Sequence, residues 1–273
     1  MRNVLTIAGS DSSGGAGIQA DLKTFSAHGV FGMSVITAVT AQSTRGVFGV
    51  QDITPEMIEK QLEVLFEDIA IHAIKIGMVS KSETIRIISS VLNKHRKLPI
   101  VLDPVMVSKS GHHLLEPEAK EALIQHLLPL ATVVTPNLPE AEVITGESVE
   151  SLEEMKRAGH IIYGMGPAFV LMKGGHLEEE ASTDLLFNGT EWLEYPHQRI
   201  ETKNTHGTGC TLSASLAANL AKGISMQDSV KLSKDYITEA IQASFSIGKG
   251  PGPVHHFHQF YDNTGKVRQD EKN

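Results

Sequence analysis

A single cysteine, Cys210, is the whole thiol complement of 273 residues, so no internal disulfide can form. That fits a reducing cytoplasm and removes any metal site built on paired cysteines. Long apolar runs are missing as well, and none approaches the length of a membrane span. The apolar run Val4 to Ala8 is too short for a signal peptide and has no cleavage region. No basic run offsets the formal net charge of -8. Neither nucleic acid nor an anionic membrane is therefore expected as a partner. No glycine run is followed by Lys and then Ser or Thr, which excludes a Walker loop. No linker, composition shift or internal repeat divides the chain. The expectation is one domain over 1–273, with a polar tail from about 262 to 273.

What is present is organised around Lys203 to Ala214. Gly207 and Gly209 alternate with Thr208 and Cys210 and open into a run of small and apolar residues, Thr211 to Ala221. Leu212, Leu216 and Leu220 recur at a spacing of four, which places them on one helical face. The first amides of such a helix have no partner inside it. A glycine loop ahead of them makes a site for a phosphate or an oxyanion. Cys210 stands in the mouth of that loop, where a thiol can serve as nucleophile or base and where a helix start can lower its pKa. The plain alternative is a glycine turn at a helix start.

Short apolar strands alternate with amphipathic helices along the chain. Strands are expected at Val4 to Ala8, Ser34 to Thr40, Ala73 to Ile76, Ile100 to Leu102, Thr132 to Val134 and Phe169 to Met172. Thr44 to Ile53 reads as an edge strand or a flap, and Asp184 to Tyr195 as a hairpin turning at Asn188-Gly189. Thr54-Pro55 and Ser225 read as helix starts, Pro117 opens another helix, and Ser80–Glu83 and Ser151–Glu154 read as capping boxes. The alternation argues for an α/β fold with a mostly parallel sheet covered by helices on both faces. Ligands bind outside the carboxyl ends of such strands. Gly9, Gln42, Met78, Asp103, Asn137 and Lys173 all stand at strand ends.

Each of these has a plain reading beside a functional one. Asp103 before Pro104 is a common turn former, or a carboxylate aimed into the cleft. Asn137 and Glu140 form an N-cap with its capping glutamate, or oxygen ligands that hold magnesium against phosphates. Lys173, ahead of two glycines, suits a nucleotide phosphate. Gly15-Ala16-Gly17 loosely matches a dinucleotide fingerprint, but it lies five residues past the strand end and Gln42 replaces the expected acidic residue. His255, His256 and His258 cluster late in the chain, and a structural or surface role is favoured over a metal site.

Several long strings together resemble the hydroxymethylpyrimidine/phosphomethylpyrimidine kinase family of thiamine biosynthesis, within the ribokinase-like superfamily. They are Leu5 to Asp21, Thr135 to Ala141, Leu171 to His176 and Lys203 to Thr211, and the likeness extends to Pro253–His258. The resemblance implies a three-layer α/β/α sandwich. It implies phosphorylation, with ATP as co-substrate and Mg2+ as cofactor, of an aminopyrimidine alcohol and then of its monophosphate. Carried over by position, Gly9, Asp21, Gln42, Met78 and Val107 match the pyrimidine pocket. Asp103, Asn137, Lys173 and Thr205 match ATP contacts, with Asp103 and Glu140 toward the metal. Gly207, Thr208, Gly209 and Cys210 match the anion hole, and Cys210 stands where most ribokinase-like sugar kinases have an aspartate base. Dimers are common in the family, so a homodimer is expected, and the lone thiol points to the cytoplasm. Pyridoxal kinase of the same subfamily is the nearest rival. The lid Ser108 to Leu115 lacks the second cysteine that some of those relatives use, and Gln42 suits an aminopyrimidine edge. A non-catalytic binding protein of the fold is the remaining alternative, disfavoured by the joint presence of Asp103, Glu140, Lys173 and the anion loop.

Overall fold

The computed structural model describes residues 1–106, 116–175, 181–262 and 264–268. In chain order the elements are β1 (Asn3–Ala8), α1 (Gly17–Ala27), β2 (Phe31–Ile36), β3 (Ala38–Ser43), β4 (Gly46–Asp52), α2 (Pro55–Asp68), β5 (Ala73–Ile76), α3 (Ser82–Leu92), β6 (Ile100–Leu102), α4 (Pro117–Ala122), β7 (Val133–Val134), α5 (Leu138–Thr145), α6 (Leu152–Tyr163), β8 (Phe169–Met172), β9 (Ala181–Phe187), β10 (Trp192–Gln198), α7 (Thr208–Ala221) and α8 (Met226–Gln242).

The apolar strands build one eight-stranded sheet in the order β10-β9-β8-β7-β6-β5-β1-β2. The run from β2 to β8 is parallel, and β9 and β10 return antiparallel. The winding direction reverses between β1 and β5, the place where such sheets open a crevice. Alternate strand residues feed two cores. Ile7, Ile76, Leu102 and Val134 pack beneath Ile58, Ile88 and Ile162 on one face. Val4, Ala73, Val101 and Val133 pack against Phe25, Leu216 and Val230 on the other. The architecture is a three-layer α/β/α sandwich, as expected.

Helix α7 departs from the one-sided stripe that its leucines suggest. Thr211, Ser213, Ala214, Ser215, Ala217 and Ala218 are buried together with Leu212 and Leu216. It lies against β1, β5 and β6 beneath α1 and α8, and small side chains let the backbones approach.

The sequence misplaces some boundaries. The strand expected over Ser34 to Thr40 is two strands. Thr37 breaks it by donating its amide to Ala8 and its hydroxyl to Met78 O at 2.8 Å. The chain then leaves the main sheet and pairs β3 with β4 as a separate two-stranded flap. Ser80 and Glu83 form no capping box: Lys81 is the N-cap, and the Ser80 hydroxyl is bonded to Asp52. Ser151 accepts from the Glu154 amide, but the Glu154 carboxylate turns to the amide of Glu150, so only half of that box forms. Asn137 and Glu140 form a complete box, at 2.9 and 2.8 Å. Asp262 donates to Lys266 O at 2.9 Å and Tyr261 bridges Val267, which folds this part of the tail back.

Candidate active site

The carboxyl ends of β1, β5, β6, β7 and β8 and the start of α7 converge. Gly207 caps α7 with φ +80°, a conformation that favours glycine. A Cβ there would collide with the Gly15 carbonyl oxygen. No side chain caps this helix, and among the described residues the amides of Gly209 and Cys210 have no partner. They are the orphan donors expected of an anion site. The Thr208 hydroxyl donates to Thr205 O at 2.8 Å, which shapes the approach to the loop.

Beside the loop lies a buried charge cluster. Lys173 Nζ is 3.0 Å from Asp103 Oδ1 and 3.8 Å from Glu140 Oε2. A Cβ on Gly209 would stand 3.4 Å from that ammonium and 3.6 Å from Asp103 Oδ2. Thr135 and Ser213 donate to Asp103 at 3.2 and 3.3 Å. Burial works to raise the Asp103 carboxyl, but Lys173 and Lys75 outweigh it and hold it below its ordinary value. Burial likewise opposes the Lys173 charge, and Asp103 and Glu140 overcome it. Glu140 differs. Burial pushes its carboxyl up to about 7, against the pull of Lys173 and with the help of Asp103. Two carboxylates thus share one ammonium, and at neutral pH one of them is only partly ionised. Asn137 supplies the cap of α5 and bridges to Lys173 across the strand ends.

The residues expected to form the pyrimidine pocket come from the ends of β1, β3 and β5 and from α1. Ser10 donates to Ala38 O at 2.8 Å and Thr40 to Ser10 O at 2.8 Å, fixing the flap over the end of β1. A Cβ on Gly9 would stand 3.1 Å from Met78 Cε, so these two predicted residues meet. The Gln42 backbone is stapled to Ser12 in both directions at 2.8 Å. Its side chain accepts only a long bond from Thr40, 3.3 Å, and its amide nitrogen donates to no described residue. Asp21 lies deeper. Its Oδ2 accepts from Thr6 at 2.6 Å and from Lys75 at 2.9 Å, while Oδ1 is buried without a partner. Burial pushes this carboxyl up, and Lys75 pulls against the rise. Val107 and the lid Ser108 to Leu115 lie outside the described residues.

Cys210 stands where the starts of α1 and α7 meet, with the amide of Gly17 facing its sulfur. The lowered pKa expected at a helix start is not found. Burial pushes the thiol up to about 11, with Lys75 opposing. Lys75, fully buried under Gly77, is the residue that sequence reasoning missed. A lysine inside the apolar strand Ala73-Ile74-Lys75-Ile76 was the available signal. The late histidines bond to neighbouring helices. His256 bonds Thr211 at 3.1 Å, and His258 meets Glu239 at 3.0 Å. Among the described residues there is no cluster of three or more His, Cys, Asp or Glu that could hold a metal.

Unpartnered amides at a helix start beside a Lys–carboxylate cluster, at the carboxyl ends of parallel strands, suit a phosphotransferase. The family profile that matches residues 11–255 is that of phosphomethylpyrimidine kinase. The chain belongs to this family. A hydroxymethylpyrimidine/phosphomethylpyrimidine kinase of Rhizobium meliloti is 54% identical over 260 residues, 94% of this chain and 97% of the relative. The crystal structure of a phosphomethylpyrimidine kinase from Clostridium difficile superposes with a TM-score of 0.79 at 54% identity, covering 88% of this chain and all of that one. A Staphylococcus aureus pyridoxal kinase in complex with ADP superposes with a TM-score of 0.89 at 38% identity, covering 96% of each chain. No helix among the described residues is long and apolar enough to cross a membrane.

Proposed function

We propose that this chain uses ATP to phosphorylate 4-amino-5-hydroxymethyl-2-methylpyrimidine and then its monophosphate, giving the diphosphate for thiamine biosynthesis. The observation that carries the reading is the start of α7, whose two unpartnered amides stand beside the Lys173–Asp103 pair. Lys173 and Thr205 bind the nucleotide phosphates, with Asp103 and Asn137 shaping the site around them. The amides of Gly207 to Cys210 stabilise charge on the phosphoryl group in transit. Gly9, Gln42, Met78 and Val107 hold the pyrimidine, with the fully buried Asp21–Lys75 pair in the layer beneath, and the Gln42 amide offers a donor and an acceptor to its amino edge.

The donor set fits Mg2+. Asp103 and Glu140 present two buried carboxylates to one cation, too few for an all-protein cage and apt for an ion that keeps waters and phosphates. When bound, magnesium supplies charge neutralisation between the phosphates. Cys210 is well placed for the acceptor hydroxyl, and its thiol contributes modestly, because phosphoryl transfer rests mainly on positioning.

The chain acts as one ribokinase-like domain over 1–273, in the cytoplasm, where its single free thiol is stable. It pairs as a homodimer, for which the exposed Val39, Phe48 and Val50 of the β3–β4 flap offer apolar surface. Light scattering reads that mass directly. The deciding experiment is a substrate panel with ATP and magnesium: the pyrimidine alcohol, its monophosphate and pyridoxal. Turnover of both pyrimidines above pyridoxal is expected. A preference for pyridoxal overturns the reading, and no turnover at all leaves a binding protein of the same fold.

A further inference from the structure

We infer that Asp11 and His206 form a clasp that sets the N-terminus of α1 against that of α7, and so positions the anion loop. The inference rests on the kinase reading for its effect on turnover, and neither residue belongs to the site as assigned above.

The geometry centres on one carboxylate. Asp11 Oδ2 receives the amides of Gly15 and Ala16 at 3.0 and 2.8 Å and meets His206 Nε2 at 2.8 Å. Asp11 Oδ1 takes the amide and hydroxyl of Ser13 at 2.8 and 2.7 Å. The Asp11 amide is in turn held by Gln19 at 2.8 Å. Burial works to raise this carboxyl, but His206 and Ser13 overcome it and hold it well below the usual carboxylate range. It is therefore a charged, fully engaged acceptor, and charge-assisted bonds of this kind are the strong ones.

His206 is fixed from the other side. Its amide donates to Gly252 O at 3.0 Å, and its carbonyl accepts from Val254. The ring occupies the space that a Cβ on Gly15 would need. The next residue, Gly207, packs so closely that an added Cβ would meet the Gly15 carbonyl oxygen. Ala16 caps α1, and the following amide, Gly17, faces the Cys210 sulfur. One oxygen atom thereby ties the first-strand loop to the anion loop, across 195 residues of sequence. The start of α1 spends its amides on Asp11 and Gly9, whereas the Gly209 and Cys210 amides of α7 have no partner among the described residues, so the clasp holds the engaged start against the open one. A shift of the anion loop by an ångström would misplace its donors, and misplacement on that scale costs up to about a hundredfold in rate.

The test uses the full chain and two readouts. His206→Leu removes the donor and leaves the other four bonds to Asp11. His206→Gln keeps an N–H near the position of Nε2. We expect H206L to lose about 10- to 100-fold in kcat, with little change in KM for either substrate. H206Q should recover most of that loss. The second readout is alkylation by iodoacetamide. Cys210 is the only thiol, so its rate reports the gap between the two helix starts. That rate should rise in H206L and return toward wild type in H206Q. Gly15→Ala, which drives the ring off Asp11 without deleting either partner, should reproduce H206L and serves if H206L does not fold. Wild-type kcat and alkylation in both H206L and G15A would overturn the clasp while leaving the kinase reading intact. Equal losses in H206L and H206Q, with equally lowered melting temperatures, would also overturn it by making His206 a packing residue. Should the substrate panel fail instead, the alkylation arm still decides whether the clasp exists.

Discussion

Cys210 sits where the starts of α1 and α7 meet, yet its thiol is pushed up to about 11. At pH 7 such a group is ionised in about one molecule in ten thousand. A thiolate base is thus scarce, and Cys210→Ala, which keeps the amide, should lose less than about tenfold in turnover. Initial rates against pH for the two proteins measure this. A fall of about 10²–10⁴ would restore the thiol as an essential base. Glu140 carries a second consequence. Its carboxyl stands at about 7 in the folded chain against an ordinary 4.5. Between those values the folded state binds more protons than the unfolded one. The stability it contributes is therefore full below pH 4.5 and is lost as pH rises toward 7. Glu140→Gln keeps an acceptor for the Asn137 amide and cannot titrate. Its nucleotide-free melting temperature should gain on wild type as pH rises from 4.5 to 7. Parallel melting curves for the two proteins across that range would place the titration elsewhere.

At the scale of the element, the start of α7 depends on a glycine in the left-handed region. That glycine is Gly207, at φ +80°, whereas Gly209 already has helical geometry. Gly207→Ala adds a Cβ against the Gly15 carbonyl, which is backbone and cannot swing away. The variant should lose at least about a hundredfold in turnover, as expected when oxyanion donors are displaced. Its melting temperature should also fall, because the left-handed conformation costs an alanine about 1 kcal/mol or more. Turnover within a few-fold of wild type would mean that the loop tolerates a shift and does not set the reaction geometry.

Across the whole molecule, α7 packs on β1, β5 and β6 and under α1 and α8, elements drawn from both ends of the chain. The sheet continues from β2 at one edge to β10 at the other. Trp192, the only tryptophan, stacks on Phe187 near the β10 edge, while Cys210 lies in the middle. If the chain is one domain, tryptophan fluorescence, far-ultraviolet circular dichroism and protection of Cys210 from alkylation should be lost in one transition in urea. Separated midpoints would divide the chain into independent units.

Much of this was legible in the residues themselves. Alternation of apolar runs and helical stripes determined the parallel sheet and its layers, because period and burial are local properties. Strand-end polar residues placed Gly9, Asp103, Asn137 and Lys173 at one rim, since parallel strands share a direction. The strings that carry the family likeness determined the chemistry to expect. Contacts between distant segments were decided only by the tertiary structure. The break at Thr37 depends on Ala8 and Met78. The pairing of Asp21 with Lys75 spans 54 positions, and that of Asp11 with His206 spans 195. The raised Cys210 thiol follows from desolvation where the starts of α1 and α7 meet, which no local pattern brings together. Sequence spacing sets which residues share a face. Desolvation and long-range pairing, which set charge state and reactivity, arise only once the layers close.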